Sequence, residues 1–497
     1  MTDLGAFDLV VVGGGVNGAG IARDAQGRGL STLLVEKDDL AQGTSSRSSK
    51  LVHGGLRYLE YYEFRLVREA LIEREVLLAA APHIVRPMRF VLPHSPEQRP
   101  FWLIRMGLLL YDHLGGRKVL PPTRSLDLRR KPEGAPLRKE FVRAFGYSDC
   151  WVDDARLVIL NALDASARGA RVLTRTALVA ARREGDVWSV TLDGAKTARA
   201  RAIVNAGGPW VEDVLRAAGA NSSKNVRLVK GSHIVTRKFW KGEQAYLLQN
   251  ADKRVVFVNP YEGDLALIGT TDIPFAGRPE DVAIDEDEID YLLRVVNRYF
   301  FDGPSRRDVL QTFSGVRPLF DDSSDNASAV TRDYVFDLDA PSGAAPLLSI
   351  FGGKITTFRR LAEHALDKLK PFFPNMTGAW TDRAPLPGGE LAAPDFDAFV
   401  TALRKRYPWL PEALLLGYAR RYGARIHELI SDANSLDGLG RSFGAGLTER
   451  EARFLVEREW ARRADDILER RTKCCLHMSA QEREAFETWF AGVSPRS

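Results

Sequence analysis

The stretch Asp8-Leu9-Val10-Val11-Val12-Gly13-Gly14-Gly15-Val16-Asn17-Gly18-Ala19 decides the fold. Residues 9–12 form an apolar run of strand length, a glycine turn follows, and the small-residue run 19–26 reads as helix. After a glycine break a second apolar run, Thr32–Val35, ends at Glu36. That order is a βαβ unit, the building block of a parallel sheet. Each glycine of the turn has a mechanical reason. Gly13 permits the tight turn, Gly15 lets a pyrophosphate approach the backbone, and Gly18 lets helix and strand pack closely. The helix N-terminus favours phosphate charge. Glu36, 18 residues beyond Gly18, stands where an acidic side chain accepts both hydroxyls of a ribose. From this stretch alone, a turn that serves only packing stays open.

The whole chain has 497 residues, of which 45% are apolar and 27% charged. At about 100–200 residues per domain that length predicts two or three domains with sizeable cores and excludes a lone binding module. Lys and Arg number 70 against 65 Asp and Glu, a surplus of +5. Such a surplus fits an anionic substrate, a membrane surface or nucleic acid. The chain lacks a run of five like charges and any zinc-finger or RNA-binding spacing, so nucleic acid is not expected. Three cysteines support neither a disulfide framework nor a four-ligand zinc site, and no metal is expected. The strand starting near Phe7 leaves no room for a signal or transit peptide, so the mature chain is expected to begin at Met1. No apolar stretch approaches the roughly 20 residues needed to span a bilayer.

Outward from the βαβ unit, helical periodicity is expected through residues 62–80, followed by a proline-punctuated insertion to Pro136. Alternating residues predict strands near 171–182, 187–192 and 202–205, with Asp193-Gly194 as a turn. Residues 226–330 read as a strand-rich region with one acidic helix near Glu286–Tyr299. Residues 347–351 form a further strand before Gly352-Gly353-Lys354 and a helix to Leu369. Past Pro387 the composition shifts to helix formers, with amphipathic helices expected over Phe396–Arg406, 411–422 and 449–471. The expected fold class is α/β, a Rossmann-like domain interleaved with a mixed-sheet α+β domain and followed by a helical C-terminal cap. The boundaries read as 1–80, 150–225 and 331–385 for the first, 81–149 and 226–330 for the second, and 386–497 for the cap.

Three glycine turns, at 13–18, at Asn205-Ala206-Gly207-Gly208 and at 352–354, together with the hydroxyl-rich Gly43-Thr44-Ser45-Ser46-Arg47-Ser48-Ser49-Lys50, would enclose one large cofactor from several sides. A nicotinamide cofactor rarely needs all of them. With these go His53-Gly54-Gly55-Leu56-Arg57-Tyr58-Leu59, Tyr147-Ser148-Asp149-Cys150-Trp151, Lys230-Gly231-Ser232-His233, Gly269-Thr270-Thr271-Asp272, Ser314-Gly315-Val316-Arg317-Pro318 and Thr331-Arg332-Asp333-Tyr334. Taken together, in this order, they closely resemble the FAD-dependent, membrane-associated glycerol-3-phosphate dehydrogenases, the bacterial aerobic type above all. The resemblance spans the chain and weakens past Pro387.

What the resemblance implies is specific. The cofactor would be FAD, held by Gly13, Gly15, Asn17, Gly18, Glu36, Thr44, Ser45, Ser46, Ser48, Ser49, Gly207, Gly353, Lys354 and Thr356. The reaction would oxidise sn-glycerol 3-phosphate to dihydroxyacetone phosphate, with electrons passing to membrane quinone. Arg57, Arg317 and Arg332 would hold the phosphate dianion, since guanidinium forks match its oxygens; Tyr58, Thr270 and Asp272 would complete the substrate side. His233 or Arg317 would take the hydroxyl proton, and Lys354 would stabilise charge on the reduced flavin. The chain would be bacterial and peripheral on the cytoplasmic face of the inner membrane, with a cytoplasmic pool and a homodimer left open. The apolar stripe of residues 358–372 is a candidate for the membrane contact, with packing on the sheet as its alternative; residues 101–110 are a second candidate. The charged run 449–473 is expected to be a solvated face. An oxygen-using glycerol-3-phosphate oxidase, an amino-acid-oxidising flavoenzyme and a flavin-containing binding protein remain as rival readings.

Overall fold

The computed structural model describes residues 2–116, 119–250, 252, 254–321, 333–391 and 395–493. The first strand, β1 (Thr2–Val12), is buried throughout only over its last four residues, the apolar run that marks it in the sequence. Helix α1 (Val16–Gly27) starts at the glycine turn itself, and β2 (Thr32–Val35) lies parallel beside β1. Lys196–Asn205 flanks β1 on its other side, with Leu347–Gly352 beyond it and Arg171–Leu173 beyond β2, all parallel. The strands Leu178–Glu184 and Val187–Leu192 hang from Lys196–Asn205 as an antiparallel meander. Helix α1 packs against the helices Asp154–Ala167 and Phe358–Leu369 on one face of this sheet.

A second sheet of ten strands is mostly antiparallel. It joins Val85–His94, from the proline-punctuated insertion, and Arg143–Val152, just after it, to Val226–Arg237, Ala245–Gln249, Val255–Tyr261, Leu265–Gly269 and Val309–Phe320. The acidic helix Glu286–Tyr299 covers its back, begun by a capping box in which Asp285 and Glu288 exchange side-chain and backbone hydrogen bonds. The two-residue strand Leu51–Val52 leaves the hydroxyl-rich loop and pairs with this sheet, so one segment of chain spans both layers.

Residues 396–490 build a third core of their own around Leu403, Leu415, Tyr418, Ile426, Leu455 and Phe486. The helix expected over 449–471 is broken here. It runs as Glu449–Arg458, Trp460 takes a left-handed φ of 56°, and Asp466–Arg471 winds as a π-helical turn. The expected solvated face is corrected as well. Glu451, Glu459, Asp466, Arg470, Arg471 and Lys473 are all buried: Glu451 pairs with Arg421 of the same domain, and the others pair with one another or with charges of the first domain.

Of the two readings of the apolar stripe 358–372, packing on the sheet is the one the structure takes. Phe358, Leu361, Leu366 and Leu369 are buried against α1 and the parallel sheet, each side chain contributing about 1.5–3 kcal/mol by its burial. The helix Phe101–Leu114 behaves differently. Its Phe101, Ile104, Leu108 and Tyr111 pack inward, whereas Trp102, Met106 and Leu109 are 63%, 58% and 59% exposed. Among the described residues no helix is long and apolar enough to cross a membrane.

Candidate active site

One cavity of about 510 Å³ opens beyond the carboxyl ends of β1, β2, Lys196–Asn205 and Leu347–Gly352, the position where open parallel sheets bind ligands. Its far wall is the second sheet. The glycine turn is fitted to its place: a Cβ on Gly18 would run into the Gly13 carbonyl, and one on Gly13, whose φ is +115°, would run into the Ala206 carbonyl. Gly15 and Gly207 face the cavity. Glu36 accepts hydrogen bonds from Gly14 N at 2.5 Å and Asp38 N at 2.8 Å, and burial raises its carboxyl above the usual range. Asn17 Nδ2 donates to Gly352 O at 3.4 Å, while its buried Oδ1 has no hydrogen-bond partner among the described residues. A glycine-lined cradle at a helix N-terminus with an unused acceptor beside it suits a dinucleotide.

The hydroxyl-rich loop divides its side chains, because successive residues of a 3₁₀ turn point about 120° apart. Ser45 Oγ accepts from Val16 N at 3.0 Å and, like Ser49, lines the cavity. Thr44 Oγ1 donates to Val316 O at 2.6 Å and Ser48 Oγ to Asp154 at 2.7 Å, so both tie the loop to its surroundings at the cavity rim. Ser46 departs from expectation. It does not border the cavity, and its carbonyl accepts from Lys50 Nζ at 3.0 Å. Thr356 departs too: buried in the short turn Ile355–Thr357, its Oγ1 accepts from His53 N at 3.3 Å, and Ile355 faces the cavity in its stead.

On the substrate side, Arg57, Tyr58, Thr270, Asp272, Arg317, Gly353 and Lys354 all border the same cavity. Arg332 lies outside the described residues. Arg317 donates to Asp272 at 2.7 Å and to Thr270 Oγ1 at 2.9 Å, and the bare Gly231 leaves room for its guanidinium. Arg57 reaches Tyr61 Oη at 3.3 Å, and Lys354 Nζ sits 4.7 Å over the Tyr58 ring.

His233 does not border the cavity. It is 1% exposed, stacked on Phe313 at 4.8 Å and covered by Ser49, whose Oγ is 2.9 Å from its Nε2. Gly269 makes the space for its ring. Burial, with Arg317 and Lys50 nearby, pushes the imidazole well below its ordinary range and keeps it neutral. The cavity also has walls that the sequence reading passed over: His53, Tyr147, Leu247, Arg254 and Phe257. His53 and Tyr147 lie in the quoted motif runs, though neither was assigned to the site. Leu247, Arg254 and Phe257 come from the second sheet and its edge, where strand pairing decides which residues meet.

Comparison with known proteins agrees with this geometry. Residues 8–358 match the FAD dependent oxidoreductase family and residues 379–493 the C-terminal domain of alpha-glycerophosphate oxidase. The chain is 64% identical to the D-erythritol 1-phosphate dehydrogenase of Brucella abortus, with 97% of each chain covered. It is 54% identical to a glycerol-3-phosphate dehydrogenase of Pseudomonas aeruginosa, over 96% of this chain and 93% of that one. With the aerobic glycerol-3-phosphate dehydrogenase of Escherichia coli it shares 51% identity over 97% of each. The glycerol-3-phosphate dehydrogenase of Bacillus halodurans, solved in complex with FAD, superimposes with a TM-score of 0.75 at 25% identity, covering 98% of this chain and 94% of that one. The chain therefore belongs to the FAD-dependent oxidoreductases, in the branch that includes the glycerol-3-phosphate dehydrogenases, and FAD is its cofactor.

Proposed function

We propose that this flavoenzyme oxidises the secondary hydroxyl of a short polyol phosphate, with sn-glycerol 3-phosphate giving dihydroxyacetone phosphate, and that its electrons go to a membrane quinone. The observation that carries the substrate reading is the convergence of Arg57, Arg317 and Lys354 on one cavity from three separate segments. A phosphomonoester dianion is the ligand that such a set of cations suits. Bound FAD supplies the hydride acceptor.

Asp272 and Thr270 hold the Arg317 fork in position. An arginine kept charged in this way is a poor base, so we assign the hydroxyl proton to Ser49 Oγ, which hands its own proton to His233 Nε2. The imidazole is neutral, so its Nε2 lone pair can take the proton, but burial, Arg317 and Lys50 make it a weak base, so it holds the proton only in passing and releases it to solvent water as the hydride leaves C2.

D-Erythritol 1-phosphate is the second reading, and the 64% identity to a dehydrogenase of that substrate favours it. Both esters present the same phosphate and a neighbouring secondary alcohol, and differ by one hydroxymethylene. Anaerobic bleaching of the flavin by each ester, set against glycerol and erythritol, tests both readings. Bleaching by either ester at concentrations where the free polyols are inert supports the phosphate clamp; equal bleaching by the free polyols rejects it. The ratio of kcat/KM for the two esters assigns the substrate. Reoxidation by a quinone analogue without peroxide in air separates the dehydrogenase from an oxidase.

The membrane contact we assign to the helix Phe101–Leu114. Its Trp102, Met106 and Leu109 are exposed, as are Tyr62 and Phe64, at 78% and 42%, which follow the turn Leu56–Tyr61. The turn Leu56–Tyr61 packs beside this helix and also carries Arg57 and Tyr58 into the cavity. A flavin reachable from that face is suited to a quinone held in the cytoplasmic leaflet of a bacterial inner membrane.

A further inference from the structure

The loop 36–43 forms the cavity wall at the end of β2, and it is gripped from two sides. On one side the glycine turn holds it: Gly14 N donates to Glu36, and Ala41 N donates to Gly14 O at 3.0 Å. Ala41 takes a left-handed φ of 64°, a conformation that a residue with a Cβ adopts only when its surroundings impose it. On the other side stands the C-terminal domain. Asp39, 1% exposed, turns its carboxylate away from the cavity and receives Arg470 Nε at 2.7 Å and Arg471 Nη2 at 2.8 Å, across more than 430 residues of chain. Asp466 takes Arg470 Nη2 at 2.6 Å and Arg175 Nη2 at 2.7 Å. Arg175 in turn donates its backbone N–H to Asp38 O at 2.8 Å, and Thr176 donates to Glu36 O at 2.7 Å. Glu36, Asp38, Ala41 and Thr176 all border the cavity.

We propose that the C-terminal domain is a working part of the cofactor site: Arg470 and Arg471, by holding Asp39, fix the loop 36–43 in the shape that receives FAD, so that FAD binding and docking of this domain favour one another. Arg470 and Arg471 are positioning residues, since they touch the loop and not the cavity. Two guanidinium groups on one buried carboxylate fix it in two directions, which a single lysine could not do. The proposal does not depend on which polyol phosphate is oxidised.

The control is built into the same domain junction. The Glu459 carboxylate joins Arg156 and Arg425 in a buried triad that reaches the helix Asp154–Ala167 and not the loop; only the Glu459 backbone O meets Arg471, at 2.7 Å, and Glu459→Gln leaves that bond in place. If the charges serve only to hold two domains together, Glu459→Gln and Arg471→Gln weaken FAD alike once matched for loss of thermal stability. The proposal expects otherwise. Arg471→Gln and Asp39→Asn should raise the Kd for FAD, followed by flavin fluorescence on the apoenzyme, by about tenfold or more, within the usual range of site-to-site coupling. Glu459→Gln should leave it within about twofold. Equal FAD affinity in Arg471→Gln and the wild type would overturn the proposal, as would equal losses in all three variants. Because coupling is reciprocal, the unmutated protein gives a test that needs no variant. FAD should slow hydrogen exchange at residues 466–471 by about the same factor, and exchange that is identical in apoenzyme and holoenzyme overturns the proposal even where a variant fails to fold.

Discussion

The glycine turn at residues 13–18 and the π-helical turn Asp466–Arg471 grip the same loop from opposite sides by different means. The glycine turn works by absence. It brings backbone against backbone where no side chain fits, its own residues carry no charge, and it holds the loop through the N–H and C=O of Gly14. The C-terminal turn works by charge, with three arginines and two aspartates: Arg470 and Arg471 reach Asp39, and Asp466 takes Arg470 and Arg175. The glycines that permit the steric fitting sit together in one short turn, so its signature is written locally even though one surface they meet, Ala206, lies far along the chain. Charge pairing depends on a partner that only folding supplies, so the same residues look like an ordinary solvated helix face.

Four measurements bear on that contrast. The largest effect is expected on the charged side: Glu459→Gln leaves Arg156 and Arg425 buried without their carboxylate, which should cost about 3–5 kcal/mol in urea unfolding. A loss below about 1 kcal/mol would mean that the triad is not buried in solution. On the steric side, Gly18→Ala drives a methyl into the Gly13 carbonyl and should cost about 1–3 kcal/mol with loss of bound flavin. A fully yellow, unshifted Gly18→Ala protein would show that the turn can relax.

The pH dependence separates the two regions next. His83 is buried beside Arg156, Arg425 and Arg420, with both ring nitrogens lacking hydrogen-bond partners among the described residues, and burial first and then these arginines push its pKa down to about 3. Below the ordinary 6.5 the unfolded chain takes up a proton that the folded one refuses. Stability should therefore fall as pH drops from about 6.5 towards 3, by about 1.4 kcal/mol per pH unit well inside that window. Glu459, held down to about 2 despite its burial by Arg156 and Arg425, adds to the loss below its usual 4.5. His83→Phe should flatten the slope between pH 6.5 and 5, and an unchanged slope would assign it elsewhere. The smallest effect on stability, within about 0.5 kcal/mol, is expected from Trp102→Asp with Leu109→Asp, which touch neither grip. Their effect should appear in co-sedimentation with anionic vesicles, and undiminished binding would remove the helix Phe101–Leu114 from the membrane contact.

The fold was legible wherever a local pattern sufficed. The bounds of β2, of Glu286–Tyr299 and of Phe396–Arg406 follow from apolar spacing and from the capping aspartates Asp285 and Asp395. Much of the cavity was legible too, since Gly13, Gly15, Arg57, Arg317 and Lys354 lie in distinctive sequence motifs. Depth was not. His233 lies one side chain behind the wall, and Ser46 and Thr356 point away from it, because a short turn or a covering serine decides which neighbour reaches the cavity. The apolar stripes stayed ambiguous for the same reason. Residues 358–369 and 101–114 share a helical spacing, and only the tertiary contacts bury the first and leave the second half bare.

By itself the sequence determined the βαβ unit, the three glycine turns and the cations of the site, since strand length, the absence of a Cβ and charge belong to the residues themselves. The tertiary structure alone decided which charges are buried, which apolar face stays in solvent, and that the C-terminal domain closes on the flavin loop through Asp39. Those outcomes depend on pairings between residues hundreds of positions apart, and a charge or a methyl group carries no mark of the partner it will meet.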